Sequence, residues 1–171
     1  MAKWLRLTLI GAALLAAQPV CADWLDTRWG QSLDQVIATN PKAIRRMTTA
    51  ESDLGNIADF GRPLATMEFK GPKFSAPAFF YFDDRGLVGI KLDFSKGADG
   101  LAAFDLLKLQ YGMPVASAVN RRACESIDFQ WQDTVRKNNI EFAYFTCRPD
   151  GTNATSNLLY SRVPTAQETG L

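Results

Sequence analysis

Asp128 and Glu141 are the residues of this chain best placed to share acid–base chemistry. They lie in the stretch CESIDFQWQDTVRKNNIEFAYFTC, which runs from Cys124 to Cys147. A hairpin turning at residues 134–137 sets Asp128 opposite Ala143 and makes Glu141 its diagonal neighbour. Diagonal neighbours on one sheet face are close enough for two carboxylates to cooperate, as glycoside cleavage requires. A solvated polar face shared with Gln130 and Gln132 accounts for the same residues without catalysis. A carboxylate-dependent hydrolase of envelope glycan is thus the enzymatic alternative.

Other catalytic patterns are missing from the sequence. There is no histidine, which removes Ser-His-Asp triads, Cys-His pairs and imidazole metal sites together. No serine is followed three residues later by lysine, and there is no glycine-rich phosphate loop, Cys-x-x-Cys or EF-hand spacing. The expectation is a protein without a cofactor or metal. Asp83 and Asp84 border a tight turn, and turn chemistry explains them.

Binding chemistry has more candidates. Arg45-Arg46, Arg121-Arg122 and Arg136-Lys137 are basic pairs, and arginine forks suit carboxylates or phosphates. Arg121 and Arg122 are carried as candidate binding residues. Phe79 and Tyr81 fall on the strand face opposite Phe80 and Phe82 and form a candidate exposed aromatic patch. Trp24 is out of phase with Leu25 and is expected to be the most exposed of the tryptophans after the leader. Trp131 is in phase with apolar neighbours and belongs to the core. A further possibility is a small-ligand pocket between a helix over 98–111 and the sheet.

The elements that position these residues follow from periodicity. Ile127, Phe129 and Trp131 alternate with polar residues, as do Ile140, Phe142 and Tyr144, giving the period of two of paired strands. The same register brings Cys124 opposite Cys147, so two independent signals predict one hairpin and a disulfide across it. On the chain-entropy model such a bridge stabilises by about 3 kcal/mol. A second hairpin closes at Asp84-Arg85-Gly86 and pairs Phe82 with Val88, Phe80 with Ile90 and Ala78 with Leu92. Residues 65–69 and 158–163 read as strands, 43–47 as a weaker one, and 23–29 as a short first strand. Ser32 with Gln35 has capping-box spacing and opens a helix over 32–39 that ends at Asn40-Pro41. Residues 50–63 read as a loop. The helix over 98–111 has few polar residues, is expected to be largely buried, and stops at Gly112.

The fold class that emerges is α+β: an antiparallel sheet with two helices packed on one face, built from two helix-then-strands pseudo-repeats. They would span about 30–95 and 96–163 of a single domain, followed by a flexible polar tail over 164–171. Residues 1–22 read as a signal peptide, with Lys3 and Arg6 before an apolar run (LTLIGAALLAA) and Val20-Cys21-Ala22 before the cut. Val20 fits poorly before a lipid-bearing cysteine, although lipidation of Cys21 in place of its removal stays open. Loss of Lys3 and Arg6 shifts the net charge from +1 to −1, which favours neither nucleic acid nor an anionic membrane surface. No membrane span is expected after cleavage, and the two remaining cysteines suit an oxidising compartment, periplasmic or secreted.

Trp29-Gly30-Gln31-Ser32-Leu33-Asp34-Gln35-Val36, with Pro41 closing the helix, resembles the opening of several small exported bacterial modules. Among them are outer-membrane-assembly lipoproteins of the SmpA/OmlA type and the β-lactamase inhibitor proteins, which carry a helix-plus-sheet unit in tandem. Gly112-Met113-Pro114 repeats the turn more weakly. The resemblance implies a non-catalytic binding or assembly role. The functional expectation is a protein-binding module, whether inhibitor, immunity factor or envelope-assembly accessory, with another envelope or secreted protein as its partner.

Overall fold

A computed structural model of the chain describes residues 24–55, 57, 60–121, 124–147 and 154–164. The signal peptide expected over 1–22 and, apart from Pro164, the tail expected over 164–171 lie outside these residues. The fold is mixed α+β. Helix α1 (Leu33–Thr39) is followed by β1 (Arg45–Arg46), α2 (Thr49–Leu54), β2 (Arg62–Lys70), β3 (Ser75–Asp83) and β4 (Gly86–Phe94). Helix α3 (Gly97–Tyr111) leads into β5 (Ala116–Arg121), β6 (Glu125–Asp133), β7 (Asn138–Thr146) and β8 (Thr155–Arg162). The strands form one antiparallel sheet in the order β1-β2-β3-β4-β8-β7-β6-β5. Two meanders therefore meet where β4 pairs with β8. No helix of the described residues is long and apolar enough to cross a membrane.

The alternating residues of β6 and β7 pair as their apolar phase requires, Ile127 with Tyr144, Phe129 with Phe142 and Trp131 with Ile140. Asp133 holds the turn between them, its carboxylate accepting from the backbone N–H of Val135 and Arg136 at 3.1 and 2.9 Å. At the open end of the hairpin the Cys124–Cys147 disulfide spans a sequence separation of 23. The β3–β4 hairpin keeps Phe80 opposite Ile90 and Ala78 opposite Leu92, but Phe82 pairs with Leu87 and not with Val88. A bulge between Tyr81 and Phe82 absorbs the difference. The connection itself is Asp84-Arg85, because Gly86 already pairs with Asp83 at a φ of +106° that favours glycine.

Phe80, Ile90, Leu92, Leu158, Phe142 and Trp131 share one sheet face, here called inner, which carries the core. Helix α3 enters it through Ala103 and Leu107, and its Phe104 ring packs at a tilt against Phe129 and Phe142 and edge-on against Trp131, with centroids 4.6–5.9 Å apart. Helix α1 adds Val36, flanked by Leu33 and Ile37. The Ser32–Gln35 capping box is formed. The Trp131 indole N–H donates to the carbonyl of Gly112 at 2.9 Å, tying the hairpin to the end of α3.

Four expectations are corrected. The described residues 24–29 of the expected first strand do not form one: Trp24 and Thr27 close a turn, with the Thr27 N–H donating to the Trp24 carbonyl at 3.0 Å and Leu25 at φ +49°. The expected strand over 43–47 contracts to Arg45–Arg46. The expected loop over 50–63 gives its first residues to α2 and its last two to β2, and Thr48 and Glu51 form a second capping box at the start of α2. Helix α3 is not largely buried, since a helix apolar all round against one sheet must leave a face outside. Leu101 and Leu109 are 51% and 83% exposed.

Candidate functional site

The outer face of the sheet carries the residues between those of the core: Thr66, Pro77, Phe79, Tyr81, Lys91 and Asp93 at the β2–β3–β4 end. Among the described residues, α2 is the helix that lies over this face. A groove of about 450 Å³ opens between the two. Phe79 and Tyr81 form its floor, Glu51 and Leu54 of α2 one side, and Lys91 and Asp93 the other. The β3–β4 register explains the floor, setting Phe79 opposite Lys91 and Tyr81 opposite Gly89. Gly89 leaves room for the Phe60 ring, which a Cβ there would approach to 3.1 Å.

Phe79 is half-buried, but Tyr81 is 2% exposed, which corrects the expectation of two exposed rings. The cause is α2: the Tyr81 hydroxyl donates to the carbonyl of Gly55, just past that helix, at 3.0 Å. Burial, reinforced by the Asp93 charge, pushes the phenol up to about 12, so Tyr81 is a neutral donor at ordinary pH.

The charges around the groove are paired within the molecule. Arg45 holds Glu51 in a fork at 2.8 and 3.1 Å, and Lys91 Nζ lies 2.8 Å from Asp93. The Arg45 bond, with the Thr48 N–H and hydroxyl behind it, lowers the Glu51 carboxyl to about 2. The groove is thus electrically balanced, with an aromatic floor and Leu54 at its lip 92% exposed. Such a surface suits an inserted apolar side chain better than a charged substrate.

The remaining candidates lie elsewhere. Asp128 stands opposite Ala143 and Glu141 opposite Gln130 on the outer face of β6 and β7, separated from β4 by β8. Asp128 is half-buried and Glu141 exposed. Arg121 ends β5, but its side chain and the whole of Arg122 lie outside what the structure describes. Arg46 pairs with Asp34 at 2.6 Å, and Arg136 with Asp133 at 3.1 Å.

Trp24 reverses its expected position. It is 8% exposed, its ring packed against Phe69, Phe80 and Tyr160 with centroids 5.4, 5.9 and 6.3 Å away. The turn at Leu25 swings it inward and puts Leu25 in solvent. Among the described residues no group of three or more His, Cys, Asp or Glu side chains could hold a metal ion.

Helix α2 is the part of the site that periodicity misses, although Thr48-x-x-Glu51 carries a capping-box signal. Comparison with known proteins finds no matching family model, no similar curated protein and no matching solved structure.

Proposed function

We propose that this chain is an exported, non-catalytic protein-binding module that grips an envelope or secreted partner through the groove beside α2. The observation that carries this reading is Phe79, a half-buried ring on an open sheet face, framed by a helix with a fully projecting leucine. Aromatic side chains in a charge-balanced concavity are the usual anchors of protein interfaces. The partner would present one apolar side chain to the groove. The disulfide supports an oxidising compartment, and the leader-like residues 1–22 supply the route to it.

The order of the strands supports a reading as two helix-then-strands units, about 30–95 and 96–163, abutting at β4 and β8. Two such units side by side make a sheet wide enough for a protein to dock on. This agrees with the binding role that the resemblance of residues 29–36 implies.

A photo-cross-linking amino acid placed at Leu54 tests the reading in the cell envelope, with the same group at Glu141 as the control. A discrete adduct with one protein from position 54, weakened by Phe79→Ala, is the expected result. Adducts equally abundant from both positions, or none from position 54, would overturn it.

A further inference from the structure

A second cavity lies on the inner face, between α3 and the sheet, with a volume of about 330 Å³. Its floor is Leu92, Leu158 and Tyr160 on the paired central strands β4 and β8. Ala103, Leu106 and Leu107 of α3 form the wall above, where the small Ala103 leaves depth. Trp24, Phe69 and Phe74 close the far side as a run of rings with centroids 5.4 and 5.8 Å apart. Leu109, 83% exposed, and Gln110 stand at the mouth.

The lining contains no charged residue, and its one amide, Gln110, stands at the mouth and is engaged outside the cavity. Gln110 Nε2 donates to the Tyr111 hydroxyl at 3.0 Å. An ion or a sugar would gain nothing here to replace its lost water. An apolar molecule would, because an unfilled cavity forfeits contacts on every wall. A cavity of about 150 Å³ accommodates benzene, so this one has room for about a dozen carbon atoms.

We infer that the cavity between α3 and the inner sheet face is a binding site for one small uncharged apolar group of that size, whether a free molecule or the tail of an amphiphile. Trp24 in the wall makes occupancy visible. The full chain is titrated with ω-bromoundecanol, whose bromine quenches indole emission on contact, and separately with a lysophospholipid carrying a brominated twelve-carbon chain.

The expected result is saturable quenching at one ligand per chain, weakened at least about tenfold in Leu106→Phe, which intrudes on the cavity from its half-buried wall. Quenching by both probes identifies a tail site open at Leu109, and quenching by the alcohol alone a site for free molecules. Trp24→Phe should lose most of the quenching, which assigns the signal to this wall, and an unliganded melting temperature of Leu106→Phe close to that of the native chain guards against misfolding of the filled variant. Quenching without saturation, or unchanged affinity in a folded Leu106→Phe, would overturn the inference.

Discussion

Gly100, in the first turn of α3, packs directly onto Ser156 of β8: a Cβ added at Gly100 would overlap the Ser156 hydroxyl. This contact sets how closely the helix approaches the sheet, and with it the depth of the inner cavity. Alanine normally gains about 0.5–1 kcal/mol over glycine within a helix, whereas forcing atoms into a packed core costs about 1–3 kcal/mol. The overlap should win, and Gly100→Ala should destabilise the fold in urea denaturation.

Ser156 gives that prediction its own check. Its buried hydroxyl has no hydrogen-bond partner in the structure, so removing it leaves nothing unpaired. Ser156→Ala alone should be neutral or stabilising, and in the double variant it should recover part of the Gly100→Ala loss. Strict additivity of the two changes would show that they do not touch.

Glu51 predicts an acid-sensitive groove. Its carboxyl is lowered from an ordinary 4.5 to about 2, first by the Arg45 bond and then by Thr48. A depressed folded value means that the stabilising contribution is fully present above the unfolded value and is lost as pH falls through about 2. The window therefore runs from about pH 5 downward. The stability gap between the native chain and Glu51→Gln should narrow across it, as read by urea denaturation at several pH values. Because Glu51 is exposed to solvent, added salt should shrink the gap as well.

The disulfide predicts a different dependence. A bridge with a sequence separation of 23 stabilises by about 3 kcal/mol on the chain-entropy model. The double variant Cys124→Ser, Cys147→Ser should lose about that much in chemical denaturation. The loss should be insensitive to pH in the acid window where Glu51 titrates, which separates the two effects.

What the sequence conveys depends on how local the cause is. The β6–β7 register could be read because apolar alternation and cysteine placement constrain it twice over. The floor of the groove could be read too, since Phe79 and Tyr81 must share a face whichever strands flank them. Helix α2 could not be read from periodicity, because six residues with Leu54 as their one large apolar side chain carry no stripe; its capping box alone marks it. The burial of Tyr81 follows from α2 and was hidden with it. The joining of β4 to β8 is likewise a non-local choice, made by packing across more than 60 residues of chain.

Trp24 shows the same limit and supplies the last prediction. By alternation it belongs outside, yet one turn with Leu25 at positive φ delivers it against Phe69, Phe80 and Tyr160. A buried aromatic of this kind is worth about 3–5 kcal/mol against alanine. Phe79, half-buried on the outer face, should cost far less than that when truncated, because its lower part alone is packed. Trp24→Ala should therefore shift the urea midpoint strongly while Phe79→Ala shifts it little. The reverse order would place Trp24 at the surface and Phe79 in the core. It would remove the basis for reading the outer groove as a free docking surface, because a ring needed to hold the sheet together is not available to a partner.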